Sequence, residues 1–377
     1  MRILLLCEAF RSIGGVQEVV DNLAAELAAL GNDVAILSTP FVAGEPRTIR
    51  FSGECRYVGI PSRRPVTLRH PERLLRLPLS LRVRELSNAI ADFRPTVVSS
   101  HCWSWDQFPA VVAACQRAHL PLVHSLFDSW GSGTMGTAAL SALRGAAALT
   151  ALSEATRRFF EPLLPEARDA RVIIGGVDPT LAEASVPMPH PHPYIFCAAR
   201  LDIRHKAIDS LIEAFASIAS EHREVDLLIS GGGRDRESLE ALAISSGVAD
   251  RVKFLGIVPR AELWSLYKGA TIYAMPSRMP EGLGLVFLEA MAAGIPVIGT
   301  RSGGTPEIVE HELTGLLIGE NNSPAELAAA MIRLLRDPEM RRQMGQHARE
   351  RVASRYSWRQ FAGQYLEVFA SCSRGGV

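Results

Sequence analysis

Apolar positions along the chain alternate between short continuous runs and longer stretches at helical spacing. Ile3–Cys7 is a run of five apolar residues. The apolar residues that follow recur at helical spacing and would form one face of a helix: Val16, Val19, Val20, Leu23, Leu27 and Leu30. Gly31 is expected to end this helix, and Val34–Leu37 begins the next apolar run. The pattern therefore predicts a strand, a helix and a second strand.

The same alternation continues through most of the chain. Further strands are predicted at 96–99, 122–124, 146–151, 194–198, 226–230, 251–255, 270–275 and 295–300. Helices are predicted between them, for example at 207–220 and 285–293. Strands that alternate with helices are typical of a parallel sheet covered on both faces, so the predicted fold class is α/β.

A proline-rich segment interrupts this alternation at residues 184–193, where four of ten residues are proline. Proline lacks the backbone N–H that a helix or a central strand needs, so the segment is interpreted as an interdomain linker. It separates a first domain at 1–185 from a second at 194–355, which agrees with about 150 residues per domain. Two α/β halves predict a ligand cleft between them, at the carboxyl edges of their sheets.

Composition narrows the classes of function. Hydrophobic residues make up 47% of the chain and charged residues 21%, as in an ordinary globular protein. Forty basic residues balance forty acidic ones, which argues against a nucleic-acid-binding protein. Glu8 ends the first apolar run too early for a signal peptide, and no run is long enough to span a bilayer. With its scattered cysteines taken as reduced thiols, the chain is expected to be cytoplasmic.

The segment 279–298 carries the densest candidate chemistry. Glu281 falls in a loop after a predicted strand, and a helix is expected to begin near Gly284. The amides of Gly284, Leu285 and Val286 would then lie at the helix N-terminus, which favours an anion. Glu289 follows about one turn further along, where a carboxylate would suit a neutral diol better than a phosphate. Taken alone, the two glutamates would be ordinary loop and helix residues.

Two basic residues and two glycine-rich loops supply further candidates. Arg200 and Lys206 follow the first strand of the second domain, and a guanidinium with an ammonium suits a diphosphate; a solvated basic loop is the alternative. Gly14-Gly15 precedes the first helix, where a plain turn is the alternative interpretation. Residues 230–233 read Ser-Gly-Gly-Gly, which lacks the spacing of a dinucleotide fingerprint.

In combination, these motifs resemble those of the retaining glycosyltransferases of family 4. The resemblance runs in order through most of the chain, and its segments are Gly14-Gly15-Val16, Ser153, Gly176-Val177-Asp178, Arg200 with Lys206, Glu281 with Glu289 as an E-x7-E motif, and Gly303-Gly304-Thr305-Pro306-Glu307. It implies a GT-B fold, with two Rossmann-like parallel-sheet domains facing a central cleft. It also implies that a C-terminal helix in 356–377 returns to the first domain.

The resemblance implies a role for each donor-site residue. Glu281 would hold hydroxyls of the donor sugar, and Glu289 would bind the ribose diol of the nucleotide. Arg200 and Lys206 would neutralise the diphosphate, assisted by the amides of residues 284–286 and by Gly14 and Gly15.

Two further positions are implied by the family pattern, and two depart from it. His124 falls at the active-site histidine, and the nucleotide base would lie near Ile257. Gly175 stands where the family usually has asparagine, and the loop 128–133 looks particular to this chain. Contacts to the acceptor are therefore the part that the resemblance transfers least.

The implied reaction moves a hexosyl unit from a nucleoside diphosphate sugar to an acceptor hydroxyl with retention, by front-face attack. A UDP-sugar is the first expected donor and GDP-mannose the next; the acceptor is a lipid, a glycan or a small metabolite. No D-x-D motif and no metal-ligand spacing occurs, so neither metal nor cofactor is expected. The alternatives are a nucleotide-sugar epimerase of the same fold, a non-catalytic nucleotide-sugar-binding protein, and a two-lobed periplasmic sugar-binding protein, which would need a signal peptide.

A basic stretch at residues 61–86 adds a candidate membrane contact. It carries seven arginines against two glutamates, with leucines interleaved. Such a segment suits anionic lipid or a phosphorylated, lipid-linked acceptor, whereas a solvated helical face is the alternative. The protein is accordingly expected to be cytoplasmic, with peripheral contact at the inner membrane face through this segment.

Overall fold

The computed structural model describes residues 1–8, 15–39, 55–59, 79–101, 108–127 and 137–374. The chain forms two compact units. The first comprises Met1–Gly175 together with Trp358–Val377, and the second comprises Gly176–Ser357.

The first unit is built on a seven-stranded parallel sheet, in the order β3-β2-β1-β4-β5-β6-β7. Its strands are β1 (Arg2–Glu8), β2 (Asp33–Thr39), β3 (Cys55–Gly59), β4 (Val97–Ser100), β5 (Leu122–Leu126), β6 (Ala148–Ala151) and β7 (Arg171–Val172). Its helices are α1 (Gly15–Ala29), α2 (Leu79–Phe93), α3 (Phe108–Arg117), α4 (Thr137–Leu143), α5 (Glu154–Phe160) and, from the end of the chain, α15 (Trp358–Arg374); a short 3-10 helix spans Pro165–Asp169.

The apolar pattern explains these elements. All residues of β4 and β5 are buried, as expected for central strands of a sheet covered on both faces. The predicted apolar face of α1 is buried at Val19, Val20, Leu23 and Leu27. Gly31 ends the helix with φ +83°, a left-handed conformation that glycine adopts without a steric penalty.

The second unit repeats the plan with six parallel strands, in the order β10-β9-β8-β11-β12-β13. Its strands are β8 (Tyr194–Ala198), β9 (Asp226–Ser230), β10 (Val252–Gly256), β11 (Ile272–Met275), β12 (Val297–Thr300) and β13 (Gly315–Ile318). Its helices are α6 (Pro179–Ala184), α7 (Ile203–Lys206), α8 (Ile208–Ile218), α9 (Arg236–Ser245), α10 (Arg260–Gly269), α11 (Leu285–Ala292), α12 (Thr305–Ile308), α13 (Pro324–Arg336) and α14 (Pro338–Arg355).

The chain order of these strands creates a switch point in the second sheet. From β8 the chain moves outward to β9 and β10, and it then crosses back to place β11 on the other side of β8. The connections therefore run in opposite directions from β8 and β11. Ligands of open parallel sheets bind outside the carboxyl ends of the strands at such a point.

Two segments of the chain add detail to the predicted arrangement of two α/β domains joined by a proline-rich linker. The second unit begins at Gly176, and α6 packs on α10 and α11 within it, so the proline-rich segment 184–193 lies inside the second unit and not between the two units. At the other end of the chain, α15 packs on α1 in the first unit.

Candidate functional site

The loops that follow the strands of the second sheet carry the predicted donor-site residues. At the switch point, the Lys206 ammonium lies 2.5 Å from Glu281 Oε1. Lys206 ends α7, which follows β8, and Glu281 lies in the loop after β11. Both side chains are largely but not fully buried, 19% and 15% exposed, so a ligand could reach them. Two residues predicted from separate motifs, one after β8 and one after β11, are therefore in contact.

The position of Lys206 is fixed by the short helix that carries it. Asp202 caps α7, since its carboxylate accepts a hydrogen bond from the His205 amide. At the other end, the amides of Arg278 and Met279 donate to the His205 carbonyl at 2.9 and 3.2 Å. The loop after β11 thus satisfies the end of α7, which holds Lys206 beside that loop.

Two neighbours fix the position of Glu281. The Ser277 hydroxyl, buried in the same loop, donates a hydrogen bond to Glu281 Oε1. From the loop after β12, the Gly304 amide donates to the Glu281 carbonyl at 2.9 Å. Gly303 has φ +57°, and a Cβ there would lie 2.3 Å from the Glu281 carbonyl oxygen. The glycine pair singled out in the sequence therefore lets one loop pack directly on the backbone of the other.

The helix that follows Glu281 begins as the sequence predicts. Gly284 is its N-cap, with φ +84°, and α11 starts at Leu285. The amides at the start of a helix lack intrahelical acceptors and carry the positive end of the helix dipole. The amides of Gly284, Leu285 and Val286 thus lie a few residues beyond Glu281, where they would favour an anion.

Glu289 lies in the second turn of α11 and is nearly fully buried, at 5% exposure. The Tyr267 hydroxyl donates to Glu289 Oε2 at 2.7 Å, and the Arg260 guanidinium lies 3.1 Å from Glu289 Oε1. Burial raises the pKa of Glu289 above its ordinary value, while Arg260 and the Tyr267 hydrogen bond act in the opposite direction. The carboxylate predicted to bind a diol is thus held from two sides by α10.

Arg200 lies in the loop after β8 and is exposed. Among the described residues, its guanidinium has no hydrogen bond or ion pair, so it is available to an anion. The loop passes against the glycine run after β9. A Cβ at Gly231 would lie 1.9 Å from the Ala199 carbonyl oxygen, and one at Gly233 would lie 2.2 Å from that of Leu201. Gly231 and Gly233 are therefore needed for close packing against the Arg200 loop, a role that the spacing of the glycines does not indicate.

Ile257 follows β10, next along the same sheet edge. Ile257 is 63% exposed, and its Cδ1 and Cγ1 would lie 3.2 Å from a Cβ at Gly232. Gly256 before it has φ +70°. An exposed apolar side chain beside a glycine loop provides a flat surface on which a planar ring could pack.

The candidates in the first unit are described less fully. Gly15 is the first residue of α1, whereas Gly14 and the loop 128–133 lie outside the described residues. His124 is the third residue of β5 and not its end, because the strand continues to Leu126. Its ring is 1% exposed and packs edge-on against Phe108, with centroids 4.3 Å apart. Burial lowers the pKa of His124 to about 3, and His101 adds to this effect.

The described ranges contain no cluster of three or more histidine, cysteine or carboxylate side chains that could hold a metal ion. Within the same ranges, no helix is both long and apolar enough to cross a bilayer. Of the basic stretch 61–86, residues 61–78 lie outside the described part of the chain, and the remainder falls in α2.

Four contacts of this site were not foreseen. Arg260, Tyr267, Ser277 and Arg278 fall outside the motifs. Ser277 contacts Glu281 within one loop, whereas the other three contact site residues that are distant from them in the chain. Arg260 directly follows the loop that carries Ile257, so its place beside a predicted base-binding segment was the only available signal.

The fold and the site geometry define a class of protein: two parallel-sheet units of Rossmann type, with charged groups gathered at the carboxyl edge of the second. Solved structures with this fold are similar over nearly the whole chain. Sucrose-phosphate synthase from Thermosynechococcus elongatus aligns with a TM-score of 0.85 and 25% identity, covering 98% of this chain and 100% of that one. HepE from Anabaena, solved with UDP, aligns with a TM-score of 0.78 and 21% identity over the same shares. The chain therefore has the GT-B fold.

Family models identify the chain more closely. Residues 13–181 match Glycosyltransferase Family 4, and residues 181–351 match Glycosyl transferases group 1. The chain belongs to glycosyltransferase family 4, as the motifs predict.

Among curated proteins, a GDP-mannose-dependent alpha-(1-6)-phosphatidylinositol monomannoside mannosyltransferase of Mycobacterium tuberculosis is 40% identical over 179 residues, 46% of either chain. A related monoacylated-lipid mannosyltransferase of Corynebacterium glutamicum is 37% identical over 206 residues, 53% of this chain and 50% of that one. The match thus spans about half the length of these relatives.

Proposed function

We propose that the protein is a retaining glycosyltransferase that moves a hexosyl unit from a nucleoside diphosphate sugar to an acceptor hydroxyl. The observation that carries the proposal is the meeting of Lys206 and Glu281 at the switch point of the second sheet, directly before the N-terminus of α11. A cation, free helix amides and a carboxylate gathered there suit the two ends of a sugar diphosphate.

The diphosphate would take the positive groups of this edge. Lys206 has three N–H donors and uses one on Glu281, so two remain for phosphate oxygens. Arg200, exposed on the neighbouring loop, would supply a second cation, and the first amides of α11 would supply neutral donors. Charge on the leaving diphosphate grows in the transition state, so these groups would lower the barrier as well as bind the donor.

The two carboxylates would hold the two sugars of the donor. Glu281, beside Lys206, would accept hydrogen bonds from hydroxyls of the transferred hexose. Glu289, on α11, would accept hydrogen bonds from the ribose hydroxyls. The base would pack near Ile257. Neither carboxylate is then assigned to attack the anomeric carbon, so front-face transfer is favoured over a double displacement, with the departing phosphate taking the acceptor proton. His124 and the Gly14-Gly15 turn remain predictions for the first unit.

The proposed donor is a nucleoside diphosphate hexose, and its particular base and sugar are to be chosen by experiment. The charged groups fit any nucleoside diphosphate hexose. The curated relatives named as GDP-mannose-dependent favour GDP-mannose, whereas the first expectation from the motifs is a UDP-sugar. A thermal-shift panel of GDP-, UDP-, ADP- and dTDP-sugars decides among them, because a ligand that binds only the native state raises the melting temperature. If none of these sugars raised the melting temperature, the result would count against the proposal.

The acceptor is proposed to be a hydroxyl of a lipid-linked or polyol phosphate. The relatives named above act on phosphatidylinositol mannosides, and a further relative from Corynebacterium urealyticum is named D-inositol 3-phosphate glycosyltransferase. A lipid acceptor would agree with peripheral membrane contact through residues 61–86. Flotation with anionic liposomes at low and high salt tests this contact; absence of salt-sensitive binding would leave a water-soluble acceptor.

Product analysis separates transfer from its alternatives. With donor and an acceptor pool, a transferase yields glycosylated acceptor of retained configuration. An epimerase would convert the donor without acceptor, and a binding protein would convert nothing. The assay repeated with EDTA tests the expectation that no metal is needed.

Two substitutions test the assignment of the carboxylates. Glu281→Ala is expected to lower kcat/KM by roughly 10²–10³-fold, because the hydroxyls of the transferred hexose lose the carboxylate to which they would donate hydrogen bonds. Glu289→Ala is expected to weaken binding of the free nucleoside diphosphate most, measured by calorimetry. If Glu289→Ala bound the nucleotide normally, the ribose assignment would be wrong.

A further inference from the structure

Arg260 joins the predicted base-binding loop to the buried carboxylate of Glu289. Arg260 is the first residue of α10 and comes three residues after Ile257. Its guanidinium lies 3.1 Å from Glu289 Oε1, with 42% of the arginine side chain and 7% of the glutamate side chain exposed. The ion pair thus links an accessible cation at the start of one helix to a carboxylate inside the second turn of another.

The groups around Glu289 make Arg260 its main electrostatic partner. On α10, the other partner is the neutral hydroxyl of Tyr267. On β11, burial raises the pKa of Tyr273 well above its ordinary value, so that side chain is neutral too. Among the described residues, Arg260 is the cation in hydrogen-bonding distance of the Glu289 carboxylate.

The remaining elements packed on α11 direct their charges elsewhere. On α14, Arg349 packs against Gly294, beyond the C-terminal end of α11; a Cβ at Gly294 would lie 2.4 Å from its guanidinium. Arg351, on the same helix, donates to the carbonyls of Glu307 and Ile308. The acidic side chains on the other two packed helices are Glu183 on α6 and Glu307 on α12, and β12 carries no titratable side chain. Neither glutamate is among the groups that alter the pKa of Glu289.

A buried carboxylate needs such a partner to stay charged. Burial disfavours the anion and is the largest influence on the pKa of Glu289, whereas Arg260 is the largest opposing one. The charge matters because an ionised carboxylate only accepts hydrogen bonds, at about four lone-pair sites. Arg260 and Tyr267 each occupy one, on different oxygens, which leaves about two for the two hydroxyls of a ribose.

We propose that Arg260 is a positioning residue that keeps Glu289 ionised and oriented to accept both ribose hydroxyls of the donor nucleotide. The inference rests on the proposed function, since it assigns the ribose to Glu289. It adds a residue outside the family motifs, and it explains how a nearly buried glutamate can serve as a two-hydroxyl acceptor at neutral pH.

Nucleotide binding at several pH values tests the proposal directly. Calorimetry would measure the Kd of GDP and UDP, and of their 2′,3′-dideoxy forms, between pH 6 and 9 for wild type, Arg260→Met and Arg260→Lys. Arg260→Met is expected to bind the ribonucleotide at least tenfold more weakly at pH 6.5. Loss of the cation raises the pKa of Glu289, and at a pH below that pKa each unit of rise lowers the ionised fraction tenfold. Its affinity should recover towards wild type as the pH rises, and Arg260→Lys should lie between the two.

Two controls distinguish positioning from general damage. Arg333→Met removes a similarly exposed arginine, 45% against 42%, that pairs with the half-exposed Glu312 on the same unit, and it should bind as wild type at every pH. The dideoxy nucleotides should bind all variants alike. An equal loss of affinity for ribonucleotide and dideoxynucleotide, or wild-type affinity of Arg260→Met throughout, would overturn the proposal.

A ligand-free measurement separates failure of this inference from failure of the proposed function. A glutamate whose pKa is raised in the folded state holds more protons there than in the unfolded state, so its contribution to stability falls as the pH rises between the two values. Urea unfolding between pH 5 and 8 should show a steeper fall for Arg260→Met than for wild type, and adding Glu289→Gln should remove the difference. Parallel curves would refute the role of Arg260, whereas steeper curves without binding of GDP, UDP, ADP or dTDP would refute the proposed function instead.

Discussion

Lys206 Nζ and Glu281 Oε1 lie 2.5 Å apart, although 75 residues separate them in the chain. The pair forms where the second sheet reverses its strand order, because α7 follows β8 and the Glu281 loop follows β11. Without a ligand, each group neutralises the other, so neither is left as an unpaired charge in a largely buried position. A donor diphosphate would then enter a site whose cation is already placed.

Removing the ammonium should therefore affect both halves of the pair. Lys206→Ala is expected to lower kcat/KM by roughly 10²–10³-fold, a loss of about 3–4 kcal/mol of transition-state binding. The diphosphate loses a cation, and Glu281 loses its partner. Steady-state kinetics with the donor identified by the thermal-shift panel checks this. Lys268→Ala is the control, since Lys268 donates to the carbonyls of Ala182 and Glu183 instead; wild-type turnover of Lys206→Ala would exclude the assigned role.

The fold and the charged residues of this site could be predicted because they are written locally. The predicted strands at 194–198 and 226–230 coincide with β8 and β9, since a strand buried on both faces is marked by a short run of apolar residues. Glu281 and the helix start near Gly284 are close in sequence, so a single segment carries both. The meeting of Lys206 with Glu281 followed from the family resemblance and from the rule that parallel strands end at one edge.

The supporting contacts could not be predicted in the same way. Arg260 is one arginine in an arginine-rich chain, and its contact with Glu289 depends on how α10 packs on α11. His124 looked like a strand-end residue because Ser125 interrupts the apolar run. The structure continues the strand, since the Ser125 hydroxyl is satisfied inside the unit by a residue of the last helix. Partners so distant in the chain leave no periodic signal.

Gly303 offers a test of the loop contact behind Glu281. A Cβ at Gly303 would lie 2.3 Å from the Glu281 carbonyl oxygen and 2.7 Å from its amide nitrogen, so Gly303→Ala must displace the Glu281 loop. We expect kcat/KM to fall at least about tenfold, since a displacement of about 1 Å costs this much or more. Gly247→Ala is the matched control, because Gly247 also has positive φ, +72°, but no atom within 4 Å of the added Cβ.

Both alanine variants carry the same left-handed strain, about 1–2 kcal/mol of folding free energy. Thermal unfolding should therefore show a loss for each, with a larger loss for Gly303→Ala. Activity should fall for Gly303→Ala alone. Equal activity of the two variants would mean that the Gly303 contact does not position Glu281.

The buried histidines of the first unit predict a pH dependence of stability. Burial lowers the pKa of His101 and of His124 to about 3, so both are neutral in the folded state. The unfolded chain binds more protons below its ordinary histidine pKa of about 6.5, so stability falls as the pH falls from about 6.5 towards 3. Between pH 6.5 and pH 5 each histidine would lower the free energy of unfolding by about 1.6 kcal/mol.

Urea unfolding at pH 5, 6 and 7.5 measures this effect. His101→Gln should show a shallower dependence than wild type, because one of the two buried rings is gone. His119→Asn replaces an exposed histidine of the same unit and should leave the slope unchanged. A wild-type slope in His101→Gln would show that the ring is not held neutral.

Tyr365 ties the last helix of the chain to the first sheet. Its hydroxyl lies 2.8 Å from Ser125 Oγ on β5 and 3.2 Å from Thr150 Oγ1 on β6, and Thr150 in turn donates to Ser125 at 2.9 Å. All three side chains are buried, so Tyr365→Phe leaves two hydroxyls with one partner fewer and no water to replace it. The expected loss is about 1–3 kcal/mol of unfolding free energy.

Ser373→Ala, on the same helix, is the control for this prediction, because Ser373 is an exposed residue whose hydroxyl donates to the Phe369 carbonyl of its own helix. It should change stability by less than about 0.5 kcal/mol. If the two variants unfolded at the same urea concentration, the hydroxyl network would not be what holds α15. If Tyr365→Phe alone unfolded earlier, the return of the C-terminal helix to the first unit would depend on this buried polar contact as well as on the apolar face around it.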